Sequence, residues 1–101
     1  MIDRVIATLC VPAGDTVFAG HFPGSPIVPG VVLLDWMLRE LALALGCGSR
    51  SLRIVEGKFF ATLRPDGLAE LSIDGSGGRW VYRIRHADIL LASGVVERLD
   101  D

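Results

Sequence analysis

Few side chains in this sequence can carry a proton near neutral pH, and one of them stands in an unusual setting. The chain holds two histidines, His21 and His86. His21 falls in GHFPGSPIVPGVVLLD, residues 20–35, where three prolines (Pro23, Pro26, Pro29) and three glycines (Gly20, Gly24, Gly30) lead into an apolar run that contains one acid, Asp35. Proline fixes φ and restricts the residue before it, and glycine allows close approach of another group. Three of each in so short a stretch predict a rigid crossing able to hold a functional group in place.

The chemistry follows from the residue types. An imidazole accepts or donates a proton near neutral pH. Asp35 stands between Leu34 and Trp36, and a carboxyl group in apolar surroundings holds its proton more readily, because desolvation disfavours the anion. His21 as base and Asp35 as general acid form a pair suited to adding or removing water across a carbon–carbon bond. If a helix starts near Gly30 and Val31, its first N–H groups lack intrahelical acceptors and favour negative charge. They are placed to polarise a carbonyl and stabilise an enolate. Two plainer readings stand beside these: His21 holding only the turn, and Asp35 pairing with Arg39 as an ordinary i,i+4 contact. Cys10 and Cys47 read as core thiols, and His86 as an exposed or strand-end residue. DGSGG, residues 74–78, joins two strands and opens no helix, so it reads as a hairpin and not as a phosphate loop.

The elements that must position these groups are legible. Residues 2–11 read as a strand, PAGDT as a turn, and 20–30 as the Gly/Pro loop. Residues 30–46 read as a helix, with Pro29 at its start and Gly46 and Gly48 at its stop. Then come a strand over 50–63 with a bulge near Gly57, a turn at RPDG, a strand over 68–74, a hairpin at GSGG, and strands over 79–86 and 88–98. One strand, one long helix and about four antiparallel strands make an α+β layout with the helix on one sheet face. From Val31 to Leu45 the helix carries only Asp35, Arg39 and Glu40 as charges. A half-exposed helix needs a wider polar stripe, so this one is expected to be covered from more than one direction, by a curled sheet or by a second subunit.

The totals set bounds. The chain has 101 residues, the size of one domain, 1–101, and is 50% hydrophobic with a net charge of −2. Ten basic against twelve acidic residues give none of the basic excess that nucleic-acid binding needs. Two cysteines without metal spacing predict reduced thiols and a cytosolic setting, with neither metal nor cofactor. MIDRVIATLCVPAG makes a poor signal peptide, and the apolar run after Gly30 is too short and too charged to span a bilayer.

HFPGSPIVPGVVLLD closely resembles the active-site segment of the 3-hydroxyacyl-acyl carrier protein dehydratases, whose pattern H-F-x-G-x-P-x-x-P-G is followed by an acid fourteen residues after the histidine. His21 and Asp35 keep that spacing. KFFATLRPDG, residues 58–67, looks like the family's strand–turn segment after the helix. The family's acid is most often glutamate. Aspartate is typical of the branch that also isomerises, but this chain is shorter than that branch and its HFPG is more like the glutamate branch. It is also similar to small stand-alone dehydratases of aryl polyene biosynthesis. The resemblance implies a hotdog fold, a long central helix wrapped by a curved antiparallel sheet of about five to six strands. It implies that His21 takes the C2 proton, Asp35 protonates the departing 3-hydroxyl, the Gly30 N–H binds the thioester carbonyl, the Val28 carbonyl orients the His21 ring, and Phe22 and Val31 contact the substrate. It further implies a homodimer, a higher oligomer or a heterodimer with a related hotdog subunit, with each site shared between subunits. The implied substrate is an acyl carrier protein thioester, and Arg39, Arg50, Arg53, Lys58 and Arg64 are candidates for the basic docking rim. Two alternatives are an acyl thioesterase and a non-catalytic partner subunit.

Overall fold

The computed structural model describes residues 4–15 and 26–99. His21, Phe22 and most of the Gly/Pro loop lie outside the described residues. Five strands and one helix follow in chain order: β1 (Arg4–Cys10), α1 (Gly30–Leu45), a 3₁₀ turn (Ser49–Ser51), β2 (Leu52–Phe59), β3 (Leu68–Ser76), β4 (Arg79–His86) and β5 (Ile89–Arg98). The strands form one antiparallel sheet in the order β1-β3-β4-β5-β2. The expected α+β layout, one helix against an antiparallel sheet, is what the chain adopts.

Period-two alternation selects the sheet's inner face. On β4, Trp80, Tyr82 and Ile84 are buried while Arg79, Val81, Arg83 and Arg85 turn away. Their neighbours Ala69, Leu71 and Ile73 on β3 and Ala92 and Val96 on β5 complete that face. Leu33, Met37, Leu41 and Ala42 of α1 pack into the same core. Two tight turns connect the central meander. Gly77 and Gly78 have φ of 67° and 87°, as a two-residue hairpin that matches the strand twist demands. Gly46 caps α1 in the left-handed conformation at φ 72°, where only glycine sits without strain.

Two expectations need correction, the extent of one strand and the burial of Cys10. The strand expected over 50–63 is shorter. It opens with the 3₁₀ turn and leaves the ladder after Phe59, although the Phe60 N–H still donates to the Leu91 carbonyl at 2.8 Å. The bulge expected near Gly57 is present, between Ile54 and Glu56, and Gly57 itself is in register opposite Gly94. Cys10 is exposed, because it sits at the end of an edge strand, whereas Cys47 is partly buried and packs against the core as expected. Within one chain the sheet covers only part of α1, which leaves the second of the two expected covers, another subunit, as the one to be tested. Val31, Asp35, Arg39 and Leu43, spaced every fourth residue, form an outward stripe on which Val31 is 72% and Leu43 75% exposed.

Among the described residues Tyr82 is the largest fully buried side chain. Burial, and then the negative charge of Glu56, raise its phenol above the ordinary value of 10.0. An acid whose folded-state value is raised contributes stability that is full below the unfolded value and lost as pH climbs through the folded one. The fold is therefore expected to weaken above about pH 10. Denaturant titrations across that range should show a smaller alkaline decline for Tyr82→Phe than for the native chain.

Candidate functional site

The start of α1 is built by a proline and a glycine. Pro29 enters at φ −58° and ψ 142° without a side-chain cap, and its carbonyl accepts from the Val32 N–H at 3.0 Å and the Leu33 N–H at 3.4 Å. Gly30 and Val31 therefore stand in the first turn, where backbone N–H groups lack intrahelical acceptors. Just upstream, the buried Val28 donates its N–H to the Leu63 carbonyl at 2.7 Å. This isolated antiparallel bridge ties the exit of the Gly/Pro loop to the segment that follows β2.

These elements form an apolar cleft of about 420 Å³, lined by Ile27, Val28, Gly30, Val31, Leu33, Phe59, Ala61 and Thr62. Gly30 meets Phe59 closely, since a Cβ at Gly30 would lie 2.7 Å from the tip of the ring. The ring is 51% exposed, so it can yield. Gly30→Ala is therefore expected to tilt Phe59, raise KM several-fold and shift the melting temperature by only a few degrees. Steady-state kinetics beside thermal unfolding check both halves of that expectation.

Of the expected site residues, Val28, Gly30 and Val31 come together at this cleft. Asp35 lies one turn further along α1, and its setting differs from the expected one. Two residues separate it from Leu33 and from Met37, about 200° round a helix, so the faces that bury those side chains turn Asp35 outward. Its carboxylate is 3.0 Å from the Arg39 guanidinium, the two side chains being 59% and 70% exposed. An exposed i,i+4 pair of this kind contributes about 0.3–0.5 kcal/mol. In one chain Asp35 is thus an accessible, ion-paired carboxylate on the same stripe as Val31. Among the candidate rim cations, Arg39 pairs with Asp35 and Arg53 with Glu97, while Arg50, Lys58 and Arg64 are exposed. His86 ends β4, as expected, with Nδ1 2.7 Å from the Leu68 carbonyl.

Three residues at or near the site had no assigned role in the sequence reading: Phe59, Leu63 and Tyr82. Phe59 and Leu63 stand inside KFFATLRPDG, where the pattern marks a segment without saying which member faces the helix. Tyr82 is one apolar position in an alternating strand. Its signal was indirect, in Gly57 and Gly94, because glycine inside a strand often marks a close approach.

The chain is similar to several known proteins. The 3-hydroxyacyl-[acyl-carrier-protein] dehydratase FabZ of Enterococcus faecalis is 42% identical over 43 residues, which is 43% of this chain and 30% of that protein's length. The same enzyme of Thermotoga maritima is 29% identical over 106 residues, 98% of this chain and 69% of that protein. Among solved structures, a chain of the dehydratase heterocomplex ApeI:P from Xenorhabdus doucetiae superposes with a TM-score of 0.69 at 21% identity, covering 96% of this chain and 97% of that one. The 1,4-dihydroxy-2-naphthoyl-CoA thioesterase of Synechocystis gives a TM-score of 0.56 at 19% identity, covering 89% and 76%. Both structures share the hotdog fold with this chain, and at such identities that likeness speaks for the fold alone. The family model described as ApeI dehydratase matches residues 2–95, nearly the whole chain, and the chain belongs to the ApeI-like dehydratase family.

Proposed function

We propose that the chain dehydrates 3-hydroxyacyl thioesters, carried on an acyl carrier protein, to trans-2-enoyl thioesters in fatty acid-like or polyene biosynthesis. The observation that carries this reading is Gly30. Its backbone opens α1 at the mouth of an apolar cleft, at the position which the motif reserves for binding the thioester carbonyl. In the proposed reaction the Gly30 N–H donates to that carbonyl and spreads the charge that develops on it. His21 removes a proton from C2, the electron pair forms the C2–C3 double bond, and the C3–O bond breaks. Asp35 gives the departing hydroxyl its proton, so that water leaves. The proton taken by His21 then returns to the Asp35 carboxylate through solvent, and the cycle closes.

The outward stripe of α1 supports a site completed by a second subunit. Val31 and Leu43 are too exposed for a finished helix face, and a second hotdog subunit laid on it would also enclose Asp35. That subunit is another copy or a related chain. A structural relative is described as a heterocomplex, which makes an unlike partner the second arrangement to test. Arg50, Lys58 and Arg64, all exposed, are the proposed docking points for an acidic carrier. A cytosolic setting suits the free thiols Cys10 and Cys47. Among the described residues no helix is long and apolar enough to cross a membrane.

The deciding experiment offers a 3-hydroxyacyl carrier protein and follows products by mass. Loss of one water with the thioester retained is the expected result. Free carrier thiol without enoyl product would replace the reading with a thioesterase. Turnover only after a related hotdog subunit is added would make this chain one half of a heteromer.

A further inference from the structure

The stretch of chain that joins β2 to β3 does more than link them. In the strand order, β5 and β4 stand between β2 and β3, so residues 60–67 must cross the ends of both. This strap is fixed to the sheet. The Phe60 N–H donates to the Leu91 carbonyl at 2.8 Å, the Leu63 side chain is buried, and just past the strap the Leu68 carbonyl stands 2.7 Å from Nδ1 of His86 at the end of β4. The strap in turn holds both ends of the segment that contains His21. At the entry the Asp66 N–H donates to the Val11 carbonyl at 2.8 Å, and the Ala13 N–H donates to Asp66 Oδ1 at 3.4 Å. At the exit the Val28 N–H donates to the Leu63 carbonyl at 2.7 Å. From Leu63 to Asp66 is at most about 11 Å of chain. Residues 12–27 therefore begin and end at neighbouring points of one fixed strap.

Asp66 is a costly residue to place there. Its φ is 64°, a left-handed backbone that strains residues with a side chain. Arg64 to Gly67 form a turn closed by the Gly67 N–H on the Arg64 carbonyl at 3.2 Å. With proline second and a positive φ third, the turn is of type II, whose third position favours glycine. The glycine of RPDG stands one place later, where a Cβ would lie 3.0 Å from Leu63 Cδ1 and 3.2 Å from the Arg64 carbonyl oxygen. Core packing does not explain the choice either, because Asp66 is exposed. Among the described residues one other non-glycine has positive φ, Ala87, and it sits in the tight hairpin between β4 and β5, where such turns require it. What Asp66 has and glycine lacks is the carboxylate that accepts from Ala13. Strain kept for one contact calls for a functional account, and the segment held by that contact carries the proposed base.

We propose that Asp66 is a positioning residue for His21: its N–H and carboxylate fix the entry of residues 12–27 to the strap whose Leu63 carbonyl fixes the exit, so that the base is presented at one place. The inference rests on the dehydratase reading for the role of His21. Asp66 acts through the segment and takes no part in the bond changes.

The test compares the native protein with Asp66→Gly, which relieves the backbone strain and removes the carboxylate, and with Asp66→Asn, which keeps an acceptor oxygen at the same point. Asp66→Gly is expected to lower kcat for dehydration about three- to tenfold, the range of one hydrogen bond. KM should stay within about twofold, since the acyl cleft is untouched. Asp66→Asn should recover most of kcat, and both variants should melt within a few degrees of the native chain. Native kcat in Asp66→Gly, a loss that appears in KM instead, an equal loss in both variants, or a loss that only tracks the unfolded fraction overturns the proposal. If the native protein does not dehydrate 3-hydroxyacyl thioesters, the dehydratase reading fails by itself. Nitrogen NMR of the two histidine rings then decides the role of Asp66. His21 signals that move toward the averaged values of a free histidine in Asp66→Gly and return in Asp66→Asn support it. His21 signals that stay unchanged in Asp66→Gly, or change alike in both variants, overturn it.

Discussion

Replacing His21 by alanine is expected to lower the dehydration rate about a thousandfold, and Asp35→Asn by at least about a hundredfold, the range that a positioned general base or acid supplies. The two losses differ in kind from a loss of folding. Asp35 is exposed and pairs with the equally exposed Arg39, so Asp35→Asn should change stability by less than about 1 kcal/mol. Unfolding curves measured beside the kinetics separate the effects. The stronger test mixes the two inactive variants. If each site takes His21 from one subunit and Asp35 from the other, a mixed dimer keeps one intact pair and one doubly damaged pair. Random exchange then restores about a quarter of the sites. Exchange verified by mass without returning activity would show that each site is built within one chain.

Gly94→Ala should produce the largest loss of stability among single glycine replacements in the sheet. The added Cβ would stand 2.0 Å from the Glu56 carbonyl oxygen and 2.8 Å from the Gly57 Cα. Both are backbone atoms of the neighbouring strand, so no rotamer change relieves the contact and β2 must move away from β5. Overpacking of this severity costs about 3 kcal/mol or more, which lowers the melting temperature by about 12–24 °C in a domain of this size. Gly48→Ala is the control, since nothing lies within 4 Å of its Cβ position. Should Gly94→Ala melt with the native protein, the sheet edge is softer than its packing implies.

The elements were readable because their signals are local. The alternation of RWVYRIRH, the paired glycines of the hairpin and the Pro29–Gly46 brackets of α1 each fix dihedrals or burial within a few residues. Helix and hairpin accordingly fall where the spacing put them. The bulge falls just before Gly57, and the glycine itself serves another end. At Gly57 it makes room for a side chain from two strands away, which only the sheet order reveals. The surroundings of Asp35 were misjudged for a related reason. Leu34 and Trp36 are its neighbours in sequence, but a helix turns them to other faces, and Asp35 itself points away from the chain's own core. The motif spacing joins His21 to Asp35 as a family pattern, whereas Phe59 and Tyr82 depend on long-range register.

The strand order also bears on how the protein assembles and breathes. β3, β4 and β5 are joined by tight turns and form a local meander, whereas β1 and β2 reach their partners only after long stretches of chain have been brought together. Local pairings form early and long loops close late. The two strands with the greatest closure entropy are both at the borders of the sheet. β2, which carries Phe59 and Gly57, joins near the end of folding and is among the first parts to open under native conditions. The cleft wall is thus hung on one of the two late-closing border strands, so a substrate can part it at the expense of a border and not of the core.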